Sequence, residues 1–180
     1  WSLDGWRAIL DGRWGRPGDS YAITARDDGS LVGVLGLITA KRPTAHGPRV
    51  TANMTSWYLL KPYRGSGIGR RMIDLATADP TITVTDFTSS PGAVHAVKSA
   101  GLVALDTSRL IWNPRSSAPA PLVIHKDPLA LGDELSAKDH RVLSDHVGLD
   151  LTPLMVETTD GPCVLILSIK QKHDAYVTYE

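Results

Sequence analysis

The most informative stretch of the sequence is WYLLKPYRGSGIGRRM, residues 57–72, which joins a strand-like run to a helix-like run through a glycine-rich turn. Three glycines and three arginines lie in or beside this turn: Gly65, Gly67, Gly69, Arg64, Arg70 and Arg71. The first backbone N–H groups of a helix have no acceptor within the helix, and the helix dipole makes that end electropositive. Because glycine also lets a large anion approach the backbone, the turn is predicted to bind phosphate or pyrophosphate.

Two other interpretations of this turn stay open. It can be a plain connection between a strand and a helix, with no ligand. It can also begin a dinucleotide-binding fingerprint at Gly65, for which Asp86, about 20 residues later, would supply the acidic residue. Against the fingerprint, Arg70 stands where glycine or alanine is expected, and three predicted strands precede the turn in a hairpin-rich order. A mononucleotide phosphate loop is excluded, because no Gly-Lys-Ser/Thr sequence follows.

The pattern of apolar residues predicts alternating helices and strands around the turn. Before it, we expect a helix over residues 2–14, a hairpin of strands 20–26 and 31–40 about Asp28-Gly29, and a strand over 50–60. After it, we expect a helix over 68–78, a strand over 81–89, a helix from Pro91 to Gly101 and a strand over 102–112. Residues 1–112 are therefore predicted to form one domain.

A second part follows a break in composition. Residues 113–121, NPRSSAPAP, are rich in proline and serine and are predicted to form a linker. Residues 122–180 are predicted to form a helix over 137–147, which Ser136 and Asp139 would begin as a capping box. A hairpin over 154–171 about Asp160-Gly161 and a strand over 175–180 are predicted to follow. An offset of 132 residues aligns this hairpin with the first one, so the second part is a candidate for the start of a second, similar half.

The turn resembles a known family motif. Residues 64–69, Arg-Gly-Ser-Gly-Ile-Gly, match the Arg/Gln-x-x-Gly-x-Gly/Ala motif of the GNAT superfamily of N-acetyltransferases, and residues 93–102 resemble that family's A-x-x-x-Tyr-x-x-x-Gly-Phe segment. With the order of the predicted elements, the resemblance covers about residues 2–112. It implies an α/β fold of the mixed α+β kind, with a mostly antiparallel, twisted sheet flanked by helices.

The resemblance also implies a co-substrate, acetyl-CoA or another acyl-CoA. In that family the pyrophosphate sits on the amides of this turn, which here are those of Arg64, Gly65, Ser66, Gly67, Ile68, Gly69 and Arg70, with Gly67 and Gly69 allowing the closest approach. The pantetheine arm would pair with the backbone of Leu59 and Leu60. An amide near Leu60 would hold the oxyanion of the tetrahedral intermediate.

The sequence departs from the family pattern at the groups that usually move protons. No Asp or Glu occurs between Asp28 and Asp74, so the glutamate base that many members carry on the motif strand is absent. The position of the usual tyrosine acid is Val97. An amine with a pKa of ~10.4 normally needs a base, so other groups are required. We take Tyr58, Asp86 and Ser90 as the catalytic candidates.

The composition limits the kinds of partner that we expect this protein to bind. Lys+Arg and Asp+Glu are both 19, which gives no electrostatic argument for nucleic acid or an anionic membrane. Cys163 is the only cysteine, so neither an intrachain disulfide nor a thiolate metal cluster is expected. We find no signal peptide pattern and no apolar stretch near the ~20 residues of a membrane span, and we expect a cytoplasmic protein without a metal.

The function predicted from the sequence is therefore direct acetyl or acyl transfer from acyl-CoA to an amine on a small molecule or a peptide. The first alternative is a GNAT-like module that binds CoA but has lost catalysis, which the missing glutamate and tyrosine suggest. The second alternative is a dinucleotide-dependent oxidoreductase that uses the same glycine turn.

Overall fold

The computed structural model describes residues 3–87, 89–105, 108, 122–172 and 175–179, and it divides into two units, Trp1–Arg109 and Leu110–Glu180. The first unit contains three helices and four strands among its described residues: α1 (Leu3–Leu10), β1 (Ala22–Asp27), β2 (Ser30–Arg42), β3 (Arg49–Leu59), α2 (Ile68–Ala76), β4 (Ile82–Thr85) and α3 (Pro91–Ser99). The strands form one sheet in the order β1-β2-β3-β4. The β1–β2 and β2–β3 pairs are antiparallel, and β3–β4 is parallel. The predicted fold class is confirmed.

The core of this unit lies where β2 and β3 pack against α2 and α3. Its buried members are Leu35, Leu37, Met54, Met72, Ile73, Ala76 and Val97. The α2 residues among them recur at helical spacing, which explains why residues 68–76 form a helix with one apolar face. Since α2 connects β3 to the parallel strand β4, the core fixes the glycine turn at the carboxyl end of β3.

Two irregularities of the sheet matter for the site. Strand β4 pairs with β3 only from Val50 opposite Ile82 to Asn53 opposite Thr85, so the β3 edge beyond Asn53 has no strand beside it among the described residues. The pairing of β2 with β3 also shifts between Val34 and Gly36, opposite Ser56, whose φ is 53°. Such a bulge bends and twists its strand, so the last residues of β3 take a different direction from those that pair with β4.

In its described residues, the second unit is an antiparallel sheet with one α-helix. Its elements among the described residues are β5 (Ile124–His125), a 3-10 segment (Pro128–Glu134), α4 (Ala137–Asp145), β6 (Thr152–Thr158), β7 (Gly161–Lys172) and β8 (Ala175–Tyr179), and its strand order is β5-β6-β7-β8. Helix α4 begins as predicted, because the Ser136 hydroxyl accepts a hydrogen bond from the Asp139 N–H at 3.1 Å. The predicted hairpin is present, with Thr158 opposite Gly161.

Some predicted boundaries were wrong. Residues 102–105 form no strand, because the Leu102 N–H bonds the Val97 carbonyl and closes helix α3, after which Val103 (83% exposed) and Leu105 (90% exposed) leave the core. Helix α1 ends at Leu10 rather than at residue 14, close to Gly12, whose φ of 73° breaks helical geometry. The rest of the predicted strand over 102–112, apart from Ser108, and the predicted linker over 113–121 lie outside the described residues.

Candidate active site

A cleft of about 780 Å³ opens beyond the end of β4, beside the last residues of β3. One wall is the end of β3, the glycine turn and the first turn of α2, and the other wall is the segment from the end of β4 to α3. Nine of the predicted site residues line it: Tyr58, Leu59, Arg64, Gly65, Gly67, Gly69, Arg70, Asp86 and Ser90. The other three, Leu60, Ser66 and Ile68, belong to the same segment of chain but are not among the lining residues.

The backbone of Leu59, not that of Leu60, faces the cleft. The Leu60 N–H donates to the Val32 carbonyl oxygen at 2.9 Å, so it belongs to the sheet. The Leu60 N–H is therefore already used, and the predicted oxyanion donor near Leu60 stays a prediction for the neighbouring Leu59 N–H. Backbone groups of neighbouring strand residues point to opposite edges, so those of Leu59 point away from β2. Consistent with this direction, the Arg64 Nε–H donates to the Leu59 carbonyl oxygen at 2.8 Å.

The chain between β3 and α2 is held in place before any ligand binds. Lys61–Tyr63 form a 3-10 turn, which the Arg64 N–H closes with a bond to the Lys61 carbonyl oxygen at 3.1 Å. The Ser66 hydroxyl donates to the Tyr63 carbonyl oxygen at 2.6 Å. The Tyr63 hydroxyl donates to the Asp27 carboxylate at 2.6 Å, and this bond raises the pKa of Tyr63 above its ordinary value of 10.0. Ser66 therefore shapes the turn through its side chain.

The three motif glycines are glycines for different reasons. Gly65 and Gly67 have φ values of 79° and 88°, which residues with a Cβ rarely adopt, and no atom lies within 4 Å of the place where a Cβ would be. They leave open space beside the amino end of α2, as an anion cradle requires. A Cβ on Gly69, by contrast, would lie 2.7 Å from Cζ2 of Trp57. Gly69 therefore makes room for the Trp57 ring, in addition to its predicted role in the close approach of the ligand.

The arginines that line the cleft are tied to protein groups. The Arg64 guanidinium lies 5.4 Å from the centroid of the Tyr58 ring, in addition to its bond with Leu59. Arg70 pairs with Asp74 at 2.7 Å and donates to the Ser99 carbonyl oxygen at 2.8 Å, which connects α2 to the carboxyl end of α3. Both side chains add positive charge to the wall that carries the glycine turn.

The opposite wall carries the acidic and hydroxyl groups. Asp86 follows β4, is half-buried and accepts a hydrogen bond from the Ser89 hydroxyl. Ser90 occupies the N-cap position of α3, but its side chain makes no capping bond, and its carbonyl oxygen accepts from the Ala93 N–H at 2.8 Å instead. Tyr58, 53% exposed, stands on the β3 wall. The structure therefore brings all three catalytic candidates to one cleft.

Sequence reasoning missed several cleft residues. Trp57 and Ser56 line the cleft beside the bulge. The Trp57 indole N–H is buried and has no hydrogen-bond partner among the described residues. Val97, at the position of the family's usual tyrosine, is 6% exposed and belongs to the core. The single sequence signal for Trp57 was its place in the strand that leads to the motif, where an aromatic side chain is ordinarily a packing residue.

Comparison with known proteins agrees with this geometry. Residues 2–79 match the family model described as Acetyltransferase (GNAT) family. This part of the chain is similar in sequence to the GNAT family. The match confirms the resemblance that the motif suggested, and the antiparallel-dominated sheet with its single described parallel pair does not fit a doubly wound dinucleotide-binding domain. No curated protein matched the chain.

Several solved structures resemble part of the chain. A putative acetyltransferase from Agrobacterium tumefaciens str. C58 is 22% identical with a TM-score of 0.44, over 60% of this chain and 75% of its own. A ribosomal-protein-alanine N-acetyltransferase from Brucella melitensis biovar Abortus 2308 is 21% identical with a TM-score of 0.40, over 51% and 70%. An aminoglycoside acetyltransferase from an uncultured soil metagenomic sample, in complex with sisomicin, is 12% identical with a TM-score of 0.46, over 64% and 78%.

Two searches of the described residues gave negative results. Within them, no group of three or more His, Cys, Asp or Glu side chains could hold a metal ion. Among the helices they form, none has both the length and the apolar character needed to cross a membrane.

Proposed function

We propose that the first unit is an N-acyltransferase that moves an acetyl or acyl group from acyl-CoA to an amine on a small molecule or a peptide. The observation that carries the proposal is the cleft beside the end of β3, beyond the point where β4 stops, with the glycine turn on one wall and Asp86 with Ser90 on the other. This arrangement offers a phosphate cradle, an exposed strand edge and proton-moving groups around one space.

The binding half rests on the turn and on the edge of β3. The open positions at Gly65 and Gly67, and the free first-turn amides of α2, suit the pyrophosphate of acyl-CoA. The backbone of Leu59 faces the cleft and suits the amide-containing pantetheine arm, which would lie along β3 as an added strand does. Arg64 and Arg70 supply positive charge on the same wall.

The catalytic half rests on Asp86. The amine nitrogen must be neutral to attack the thioester carbonyl carbon, so a base has to take its proton. The Asp86 carboxylate is the acidic group among the described cleft-lining residues, and we assign it this role. As the new C–N bond forms, the Leu59 amide would stabilise the oxyanion. The C–S bond then breaks, and Tyr58 or Ser90 protonates the departing thiolate, with no covalent enzyme intermediate.

The test is thiol release from acetyl-CoA across a panel of amines, together with thermal shift by acetyl-CoA, CoA and NAD. Asp86→Asn is expected to lower kcat/KM by about 10²–10⁴-fold while CoA still binds, because it removes the base and keeps the shape. Asp28→Asn is the matched control, since Asp28 lies in the exposed β1–β2 turn with a φ of 45°, which Asn tolerates. Stabilisation by NAD and not by CoA would overturn the proposal.

A second candidate function, a CoA-binding module without catalysis, is favoured by one observation. Val97 is buried where the family usually places a tyrosine, and β3 (Arg49–Leu59) carries no carboxylate. For this candidate, CoA would stabilise the protein but no amine in the panel would produce thiol release. Turnover with any amine would exclude it.

A further inference from the structure

We propose that Arg64 is a latch on the cofactor edge of β3, which the pantetheine arm of acyl-CoA must displace and which then pairs with a phosphate of the same ligand. The inference rests on the proposed function. Its basis is that the Arg64 Nε–H donates to the Leu59 carbonyl oxygen at 2.8 Å while the guanidinium lies 5.4 Å from the Tyr58 ring centroid. Leu59, Tyr58 and Arg64 all line the cleft.

The occupied carbonyl is the one that an incoming ligand needs. The Leu60 N–H is bonded to Val32 on the β2 side, so the Leu59 carbonyl is the acceptor that the end of β3 presents toward the cleft. Strand β4 stops pairing at Thr85, opposite Asn53, and leaves this edge open. A pantetheine amide that pairs with β3 here therefore competes with the Arg64 guanidinium for one oxygen atom.

The exchange does not leave the guanidinium without a partner when the ligand carries phosphates. Arg64 begins the glycine turn, so a released guanidinium lies next to the proposed anion cradle and can form charge-assisted bonds to a phosphate oxygen. A ligand with the pantetheine arm alone must break the Arg64–Leu59 bond and offers nothing to the freed charge. The latch therefore selects phosphate-bearing acyl carriers over free pantetheine thioesters.

This exchange predicts opposite effects on two ligands when Arg64 is replaced. Removing the competing bond from a charged donor should tighten the binding of D-pantetheine about 10-fold in Arg64→Ala, a change that corresponds to about 1.4 kcal/mol. The same variant should bind CoA about 10-fold more weakly, because a phosphate partner is lost. A residue that merely supports the fold would weaken both ligands.

The experiment is isothermal titration of CoA and of pantetheine against the wild-type chain, Arg64→Ala and Arg64→Met, with circular dichroism to verify folding. Arg64→Met keeps an unbranched side chain over Tyr58 and serves if the alanine variant does not fold. Arg71→Ala is the matched control, because this substitution also removes one positive charge. Arg71 lies in α2 and is not among the residues that line the cleft. The affinity of this variant for pantetheine should equal that of the wild-type chain.

The outcomes separate the latch from the function. Tighter pantetheine binding with weaker CoA binding in the Arg64 variants supports the latch. If the wild-type chain binds CoA but pantetheine affinity stays equal or falls in both Arg64 variants, the latch is wrong and the proposed function stands. If the wild-type chain binds neither ligand, both are overturned.

Discussion

The glycines of the motif, Gly65, Gly67 and Gly69, meet different physical requirements. Gly65 and Gly67 are required by backbone geometry, since both have left-handed φ values, and their surroundings are open. Gly69 answers to packing, because its missing Cβ makes room for the Trp57 ring. Since Trp57 stands on the cleft wall, this contact sets the spacing between the end of β3 and the first turn of α2.

Gly69→Ala is expected to destabilise the protein by about 1–3 kcal/mol, because a Cβ 2.7 Å from a ring carbon forces the indole or the helix to move. The matched control is Gly92→Ala. Gly92 is the second residue of α3, as Gly69 is of α2, but a Cβ there would meet nothing within 4 Å. That variant should be unchanged or stabilised by up to about 1 kcal/mol. Urea unfolding measures both, and equal effects at the two positions would contradict the packing role.

Tyr63 gives a pH dependence whose sign is fixed by its bond to Asp27. The bond raises the pKa of Tyr63 in the folded protein above 10.0, so the neutral phenol is favoured by folding. The stabilisation is therefore complete below pH 10.0 and is lost as the pH rises through the folded-state pKa. The wild-type chain should exceed Tyr63→Phe in unfolding free energy at about pH 8, and the difference should shrink by about pH 11. A pH-independent difference would refute the assignment.

At the scale of the element, two helices begin with the same residue and different bonds. Ser136 caps α4 through its hydroxyl, whereas the Ser90 side chain at the start of α3 makes no capping bond. Ser136→Ala is thus expected to lower the unfolding free energy by about 0.5–2 kcal/mol. Ser90→Ala should change it by less than about 0.5 kcal/mol. Hydrogen exchange in α4 and α3 reports each helix, and a larger loss at Ser90 would contradict the difference in capping.

Elements whose signals are local were predictable from the sequence. The Asp28-Gly29 turn, the glycine turn at residues 65–69 and the Ser136 cap each depend on a few adjacent residues with restricted backbone geometry. The three catalytic candidates, Tyr58, Asp86 and Ser90, also line one cleft, and their catalytic roles stay predictions.

The sequence-based predictions that failed concern features that depend on pairing between distant segments of the chain. Alternation in residues 81–89 and 102–112 predicts strands, but a strand exists only where a partner lies beside it. Strand β4 stops at Thr85, and residues 102–105 instead complete the end of α3. The register between β3 and β2, including the shift opposite Ser56, likewise decides which edge of β3 the Leu60 backbone groups face. No property of Leu59 or Leu60 alone tells which of the two backbones faces the cleft.

At the scale of the whole molecule, the two units share an order of elements. A helix precedes three strands paired in sequence order in each unit: α1 with β1, β2 and β3, and α4 with β6, β7 and β8. The first hairpin turns at residues 28–29 and the second at residues 159–160, close to the offset of 132 that the sequence suggested. A duplicated origin for the second unit stays a prediction.

Binding of acyl-CoA should protect only the first unit from hydrogen exchange. The described lining of the cleft comes entirely from Trp1–Arg109, so ligand binding is expected to protect this unit from hydrogen exchange, most strongly from Met54 to Arg70 and from Asp86 to Val97. With acetyl-CoA at 100 times its Kd, the added stability is about 2.7 kcal/mol, which corresponds to about 100-fold slower exchange for amides that open with global unfolding of that unit. Amides in β6 and β7 should keep their exchange rates, since they belong to a unit with its own buried residues, Leu143 and Met155.

Inorganic pyrophosphate is the control ligand and should protect the glycine turn without protecting the Leu59 edge of β3. Equal protection of β6 and β7 by acetyl-CoA would contradict a site built by the first unit alone.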